Sequence, residues 1–172
     1  EGERVVPGGR SGFADDGSGT GCWIWMGGIP RGATEIRARW SGACPEGPAE
    51  GTGRSEMTWR EGGTPRAMVY EGTLVRGKAE GQGVLTHLED GRTVVIERGE
   101  YRNDHFVQGR IEFLRNRIIY EGGWAPGGPH GRGRLETPGG VFDGVWERGC
   151  LRTKEGWLSF TRPAAECEGS AT

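Results

Sequence analysis

The sequence predicts an all-β protein: an elongated, twisted antiparallel sheet of about five consecutive β-hairpins, with disulfide-stapled terminal caps. Three observations point there. Glycine supplies 35 of the 172 residues, against a usual share of roughly 7%. Leu, Ile, Val and Phe together reach only about 17% of the chain, below the roughly 20% expected of an aliphatic core, while 7 Trp, 3 Tyr and 5 Phe need cover. The glycines also recur in a fixed register behind aromatic residues, the signature of a repeat architecture.

The register is clearest after Tyr120, where Gly122, Trp124, Gly127, Gly131 and Gly133 follow at +2, +4, +7, +11 and +13. Tyr70 repeats it with Gly72, Leu74, Gly77, Gly81 and Gly83, and Trp40 with Gly42, Cys44, Gly47, Gly51 and Gly53. A fourth unit, Phe142, Gly144, Trp146 and Gly149, keeps the first half. The fifth is degraded: Glu97 replaces the opening aromatic before Gly99 and Tyr101, Asp104 stands at the turn glycine, and Gly109 comes one residue late.

Each unit reads as one hairpin. Tyr120-Glu121-Gly122-Gly123-Trp124 alternates with the period of two that a strand needs, placing ring, glycine and ring on one face. The central glycine leaves a slot in which a ring from a neighbouring strand lies against bare backbone. The +7 glycine marks a tight turn with positive φ, and a second strand follows from about +13 to +17, as in Gly83-Val84-Leu85-Thr86-His87. Unit starts at 40, 70, 97, 120 and 142 shorten the period along the chain, so the extra length belongs in loops. Consecutive hairpins then pair edge to edge into one sheet.

Charge and hydropathy exclude other classes. Disorder of a glycine-rich kind goes with high net charge and few aromatics, whereas 22 basic and 24 acidic residues leave a net charge of −2. That balance gives no footprint for nucleic acid, and no apolar window is long enough to span a bilayer as a helix. Nearly all the basic residues are Arg, only Lys78 and Lys154 being Lys, which fits genome composition better than a dedicated binding site.

Tyr120-Glu121-Gly122-Gly123-Trp124 with His130-Gly131-Arg132-Gly133, and Tyr70-Glu71-Gly72 with Glu80-Gly81-Gln82-Gly83, resemble MORN repeats. The stretch from Cys22-Trp23-Ile24-Trp25 through Trp40-Ser41-Gly42-Ala43-Cys44 is similar to the opening segment of exported bacterial MORN-repeat proteins. The resemblance implies a non-catalytic repeat sheet that binds or scaffolds something else. It divides the chain into a flexible Gly-rich leader 1–21, an N-terminal cap 22–39, the array 40–156 and a C-terminal cap and tail 157–172.

Four cysteines permit three disulfide connectivities. Cys22 and Cys44 bracket the way into the first unit, and Cys150 and Cys167 the way out of the last, so local pairing would staple each terminal segment to an end of the array. Array ends need such caps, because an open strand edge invites aggregation. The alternatives are four free thiols in a reducing compartment, or a four-cysteine metal site without any close CxxC spacing. Paired cysteines place the protein outside the cytoplasm, in a periplasm or secreted, with association to a membrane complex as the wider expectation.

No catalytic constellation is legible. His87 falls in a second strand, His105 in the loop of the weak unit and His130 just before a +11 glycine, while Asp15, Asp16, Glu89 and Asp90 read as solvated loop charge. No nucleophile elbow, phosphate loop, HExxH or EF-hand pattern occurs, and no cofactor is expected. Trp124, Trp146, Tyr70, Tyr120 and Phe142 sit in core register. Trp23, Trp25 and Trp157 lie outside it, as does Trp59 in the long first loop; these four are the candidate interface residues, or plugs for the sheet ends. The expected partner is a protein or multi-subunit complex, the chain serving as an accessory subunit. A membrane periphery and a carbohydrate held on Trp platforms are the rival expectations.

Overall fold

The structure is a computed structural model that describes residues 5–6 and 9–168. Among these residues β1 (Val5–Val6), β2 (Gly9–Asp15) and β3 (Trp23–Ile29) form a three-stranded antiparallel sheet. An eleven-stranded sheet follows: β4 (Thr34–Trp40), β5 (Gly51–Glu61), β6 (Thr64–Val75), β7 (Lys78–Glu89), β8 (Arg92–Arg102), β9 (His105–Phe113), β10 (Ile118–Ala125), β11 (Gly128–Thr137), β12 (Gly140–Glu147), β13 (Cys150–Thr153) and β14 (Gly156–Ser159). Every strand of the large sheet pairs antiparallel with its neighbour in sequence. A short helix, α1 (Ala164–Glu168), closes the described chain.

The repeat units are the hairpins β4–β5, β6–β7, β8–β9, β10–β11 and β12–β13. The +7 residues Gly47, Gly77, Gly127 and Gly149 all have positive φ, from 80° to 106°. This conformation turns the amide toward the preceding hairpin: Gly77 N–H donates to the Ala49 carbonyl at 2.9 Å, and Gly149 N–H to that of Pro129 at 2.7 Å. Asp104 adopts φ 72° at the same post and donates to Ala79 at 2.9 Å, so the degraded unit keeps the turn without the glycine. Asp tolerates this region better than most side chains.

Eight glycines stand in one row across the sheet. Gly53, Gly72, Gly83, Gly99, Gly109, Gly122, Gly133 and Gly144 oppose one another in consecutive pairs from β5 to β12. Tyr70 and Tyr120 each lie over two glycines of the row, the one two residues on in their own strand and its partner on the next strand, and Trp40 of β4 lies over Gly53 of β5. A Cβ on Gly72 would lie 2.6 Å from the Tyr70 hydroxyl, and one on Gly53 would lie 2.9 Å from the Trp40 ring. A Cβ on Gly133 would overlap the Tyr120 hydroxyl. Over Gly144 the filler is aliphatic, Leu151 of β13.

Each ring also has a polar tip with a fixed use. Trp40 Nε1 donates to the Ala43 carbonyl at 3.1 Å, Tyr70 Oη to Thr73 at 2.9 Å and Tyr120 Oη to Gly123 at 2.7 Å, in each case three residues on. For both tyrosines this is where pairing to the next strand shifts register. Burial of the ring and satisfaction of the bulged backbone are thereby one event. Edge-to-face contacts extend the pattern through Tyr70, Tyr101, Phe106, Trp124, Tyr120 and Trp146, with centroids 5.5–6.3 Å apart.

The ring face is covered at both ends. Ala14, Ile24, Met26 and Ile29 of the small sheet bury against Trp40, Tyr70 and Leu74, and Leu158 and Phe160 pack on Tyr120, Leu135, Trp146 and Leu151. Cys22 bonds to Cys44 and Cys150 to Cys167, the pairing that their placement favours. Part of the leader expected to be flexible is instead strand β2, because Phe13 packs on Trp23 and Trp25 at 3.8 and 5.0 Å between centroids. Residues 1–4 and 7–8 of that leader and 169–172 of the tail lie outside the described residues. The large sheet starts at Thr34, within the segment read as a cap, and Trp59 lies on β5 rather than in a loop.

Two outcomes test this packing. Gly133→Ala should cost about 1–3 kcal/mol in denaturant unfolding through overpacking, whereas Gly32→Ala, with open space around its Cβ, should stay within about 0.5 kcal/mol. The oxidised protein should take up no alkylating reagent, and Cys167→Ser should lose on the order of 3 kcal/mol by opening a loop of sequence separation 17.

Candidate functional site

On the ring face, Trp40, Ser55, Tyr70, Leu85, Glu97, Ile111, Tyr120, Leu135 and Phe142 form a second row, one pair away from the glycines. Rings alternate with smaller residues along it, and Glu97 takes the place of a ring. At Gly99 the atoms nearest a Cβ would be backbone of Gln108 and Gly109, with no ring among them. The departure opens a cavity of about 240 Å³ between β3 and the strands β5–β9. Trp25, Tyr70, Tyr101 and Phe106 supply aromatic wall, Met57, Met68, Leu74 and Leu85 aliphatic wall, and Ser55, His87, Glu97 and Asp104 the polar groups.

The polar groups are ordered by one another. Glu97 Oε1 accepts from Tyr101 Oη at 3.1 Å, and Glu97 Oε2 lies 3.0 Å from His87 Nε2. The Glu97 side chain is 17% exposed, so its remaining lone pairs face the cavity region rather than bulk water. Burial and then the Glu97 carboxylate hold the Tyr101 phenol well above its ordinary range, which keeps it a donor. Burial likewise pushes Tyr70 up to about 12. Asp104 Oδ1 accepts from Ala79 N–H at 3.2 Å, and burial raises its carboxyl to about 6 against the opposing pull of that bond, His105 and Lys78. Lys78 Nζ sits over the Trp25 ring, 4.4 Å from its centroid.

The other candidates fall elsewhere. His105 and His130 are exposed, His130 Nδ1 accepting from Arg148 N–H at 3.2 Å. Asp15 and Asp16 cap their own loop through Gly17 and Ser18. Glu89 pairs with Arg115 and Arg66, both at 2.8 Å, and the Arg115 bond leads in lowering its pKa. Trp23 and Trp25 are half-buried around Phe13, Trp157 is half-buried near Arg152 at 5.5 Å, and Trp59 is buried with its Nε1 unpartnered. Those four do not form an exposed row. Among the described residues no three His, Cys, Asp or Glu side chains gather as a metal site.

Of the cavity's polar residues, Glu97 and Asp104 were legible as breaks in the repeat. His87 and Tyr101 were not, because a histidine on a strand and a ring at +4 look like ordinary packing. No protein-family model matches the chain, and no curated protein matches it either.

Asp104 gives a pH test. Its native pKa of about 6 exceeds the ordinary 3.8, so the native state binds the proton more tightly; the associated stability is full below 3.8 and is lost as pH rises through 6. Asp104→Asn keeps the acceptor and tolerates the positive φ. Its melting temperature relative to wild type should therefore rise between pH 4 and pH 6 and then level off, as read by paired melts across that range.

Proposed function

We propose that this chain is a MORN-type repeat module of an oxidising, extracytoplasmic compartment, docking without catalysis on a protein partner as an accessory subunit of a larger assembly. The two-sidedness of the large sheet carries this reading. One face is taken up by rings, the small sheet and the C-terminal segment. The other presents Val141 and Val145, 53% and 65% exposed, among Arg and Glu side chains. The glycine row and the ring tips bonded three residues on support the repeat assignment, since they recur in the three units that match it best. Two disulfides support the compartment.

The charges on the open face favour a protein over an anionic membrane. Arg54 and Arg110 reach across to Glu71 and Glu121 at 3.7 and 3.6 Å, and Arg54, Arg110 and Arg134 also pair along their own strands with Glu56, Glu112 and Glu136, each at 3.1 Å. Exposed pairs of this kind contribute only about 0–1 kcal/mol each to stability. Their mixed sign lacks the clustered Lys and Arg that bind acidic lipid. No helix among the described residues is long and apolar enough to cross a membrane.

Native-state sizing of the tagged protein from its own cells should find it in an assembly well above 18.6 kDa. Val145→Asp and Arg98→Glu, both on the open face, should release it while leaving the far-UV spectrum unchanged. Recovery of a lone 18.6 kDa species from wild-type cells would sink the reading.

A further inference from the structure

The cavity beside Glu97 is walled by the rings of Trp25, Tyr70, Tyr101 and Phe106 and by aliphatic side chains, and it holds two carboxylates, Glu97 and Asp104, but no Lys or Arg in its wall. A site with that lining discriminates by charge. Ring faces attract a cation through their quadrupole, and a largely desolvated carboxylate strengthens the attraction. The protein already displays this chemistry at the rim, where the Lys78 ammonium rests 4.4 Å from the Trp25 ring centroid. At about 240 Å³ the space is below the roughly 300–1,000 Å³ of drug-sized ligand sites, so its occupant is small.

We propose that this cavity binds a small organic ammonium ion. The nitrogen sits between Glu97 and the rings of Tyr70 and Tyr101, and any N–H groups donate to lone pairs of Glu97 that Tyr101 and His87 leave free. Tyr101 and His87 act as positioning residues, since their bonds of 3.1 and 3.0 Å fix the carboxylate plane. The site exists because one repeat unit gave up its opening ring. It is independent of the docking face, which lies on the other side of the sheet.

The oxidised chain is titrated with ethanolammonium, choline and tetramethylammonium chlorides at constant ionic strength, followed by intrinsic fluorescence, which Trp25 in the wall reports. The uncharged match of choline, 3,3-dimethylbutan-1-ol, is the control. At least one ammonium ion should saturate with one equivalent bound, and the alcohol should not. Glu97→Gln should weaken binding by about tenfold or more, as for loss of a charged hydrogen-bond partner. Glu97→Tyr, which restores the repeat's ring, should abolish binding with an unchanged far-UV spectrum. Should Glu97→Gln not fold, Asp104→Asn takes its place and should also weaken binding. Failure of all three ions to saturate overturns the proposal, as does equal binding of the alcohol or wild-type binding by Glu97→Tyr. Tighter binding of a lysine-bearing peptide than of every free ion overturns the free-ligand form.

Discussion

The large sheet depends on a ring lying flat over bare backbone. A ring as large as Tyr or Trp can lie flat on a sheet where the residues beneath it have no Cβ, and the row from Gly53 to Gly144 provides that bed across eight strands. The ring in turn supplies the apolar area that glycine cannot. Its hydroxyl or indole N–H then reaches the carbonyl three residues on, where for both tyrosines the ladder slips by a bulge. Bed, ring and bulge are one device. A Cβ added to the bed meets the ring, and a ring without a polar tip leaves the bulge carbonyl without that donor.

The same device explains where the sheet can afford a cavity. Removing one ring from the row leaves space that the glycine bed cannot fill, and the Glu97 carboxylate is too short to fill it. The carboxylate is held instead by Tyr101 and His87, while Asp104 keeps the turn that a glycine makes elsewhere. The neighbouring hairpins hold the strands in register around the gap. A ligand site can therefore arise in a repeat array without disturbing its frame, because the frame is carried by the backbone pairing of the units on either side.

The ends are held by different means. The small sheet, the disulfide between Cys22 and Cys44 and the rings around Phe13 cover the first hairpins, and the disulfide between Cys150 and Cys167 draws α1 onto the last. Between the caps one face of the sheet remains open, its Arg and Glu rows solvated and its valines exposed near β12.

Residue spacing alone determined the hairpins, their boundaries near each +7 turn, the antiparallel order and the favoured cysteine pairing, because glycine and aromatic offsets are local and repeat with the strand period. It also marked Glu97 and Asp104 as departures. Tertiary structure alone decided that the glycines of eight strands fall in one row, that each tyrosine of the best units covers a glycine of its own strand and one of the next, and that Phe13 recruits β2 into the fold. It also decided that β3 lies over the missing ring and so encloses a cavity with His87 and Tyr101 in its wall. Those outcomes depend on cross-strand register and on which surface the terminal segments cover, and both are set by contacts between residues far apart in the chain.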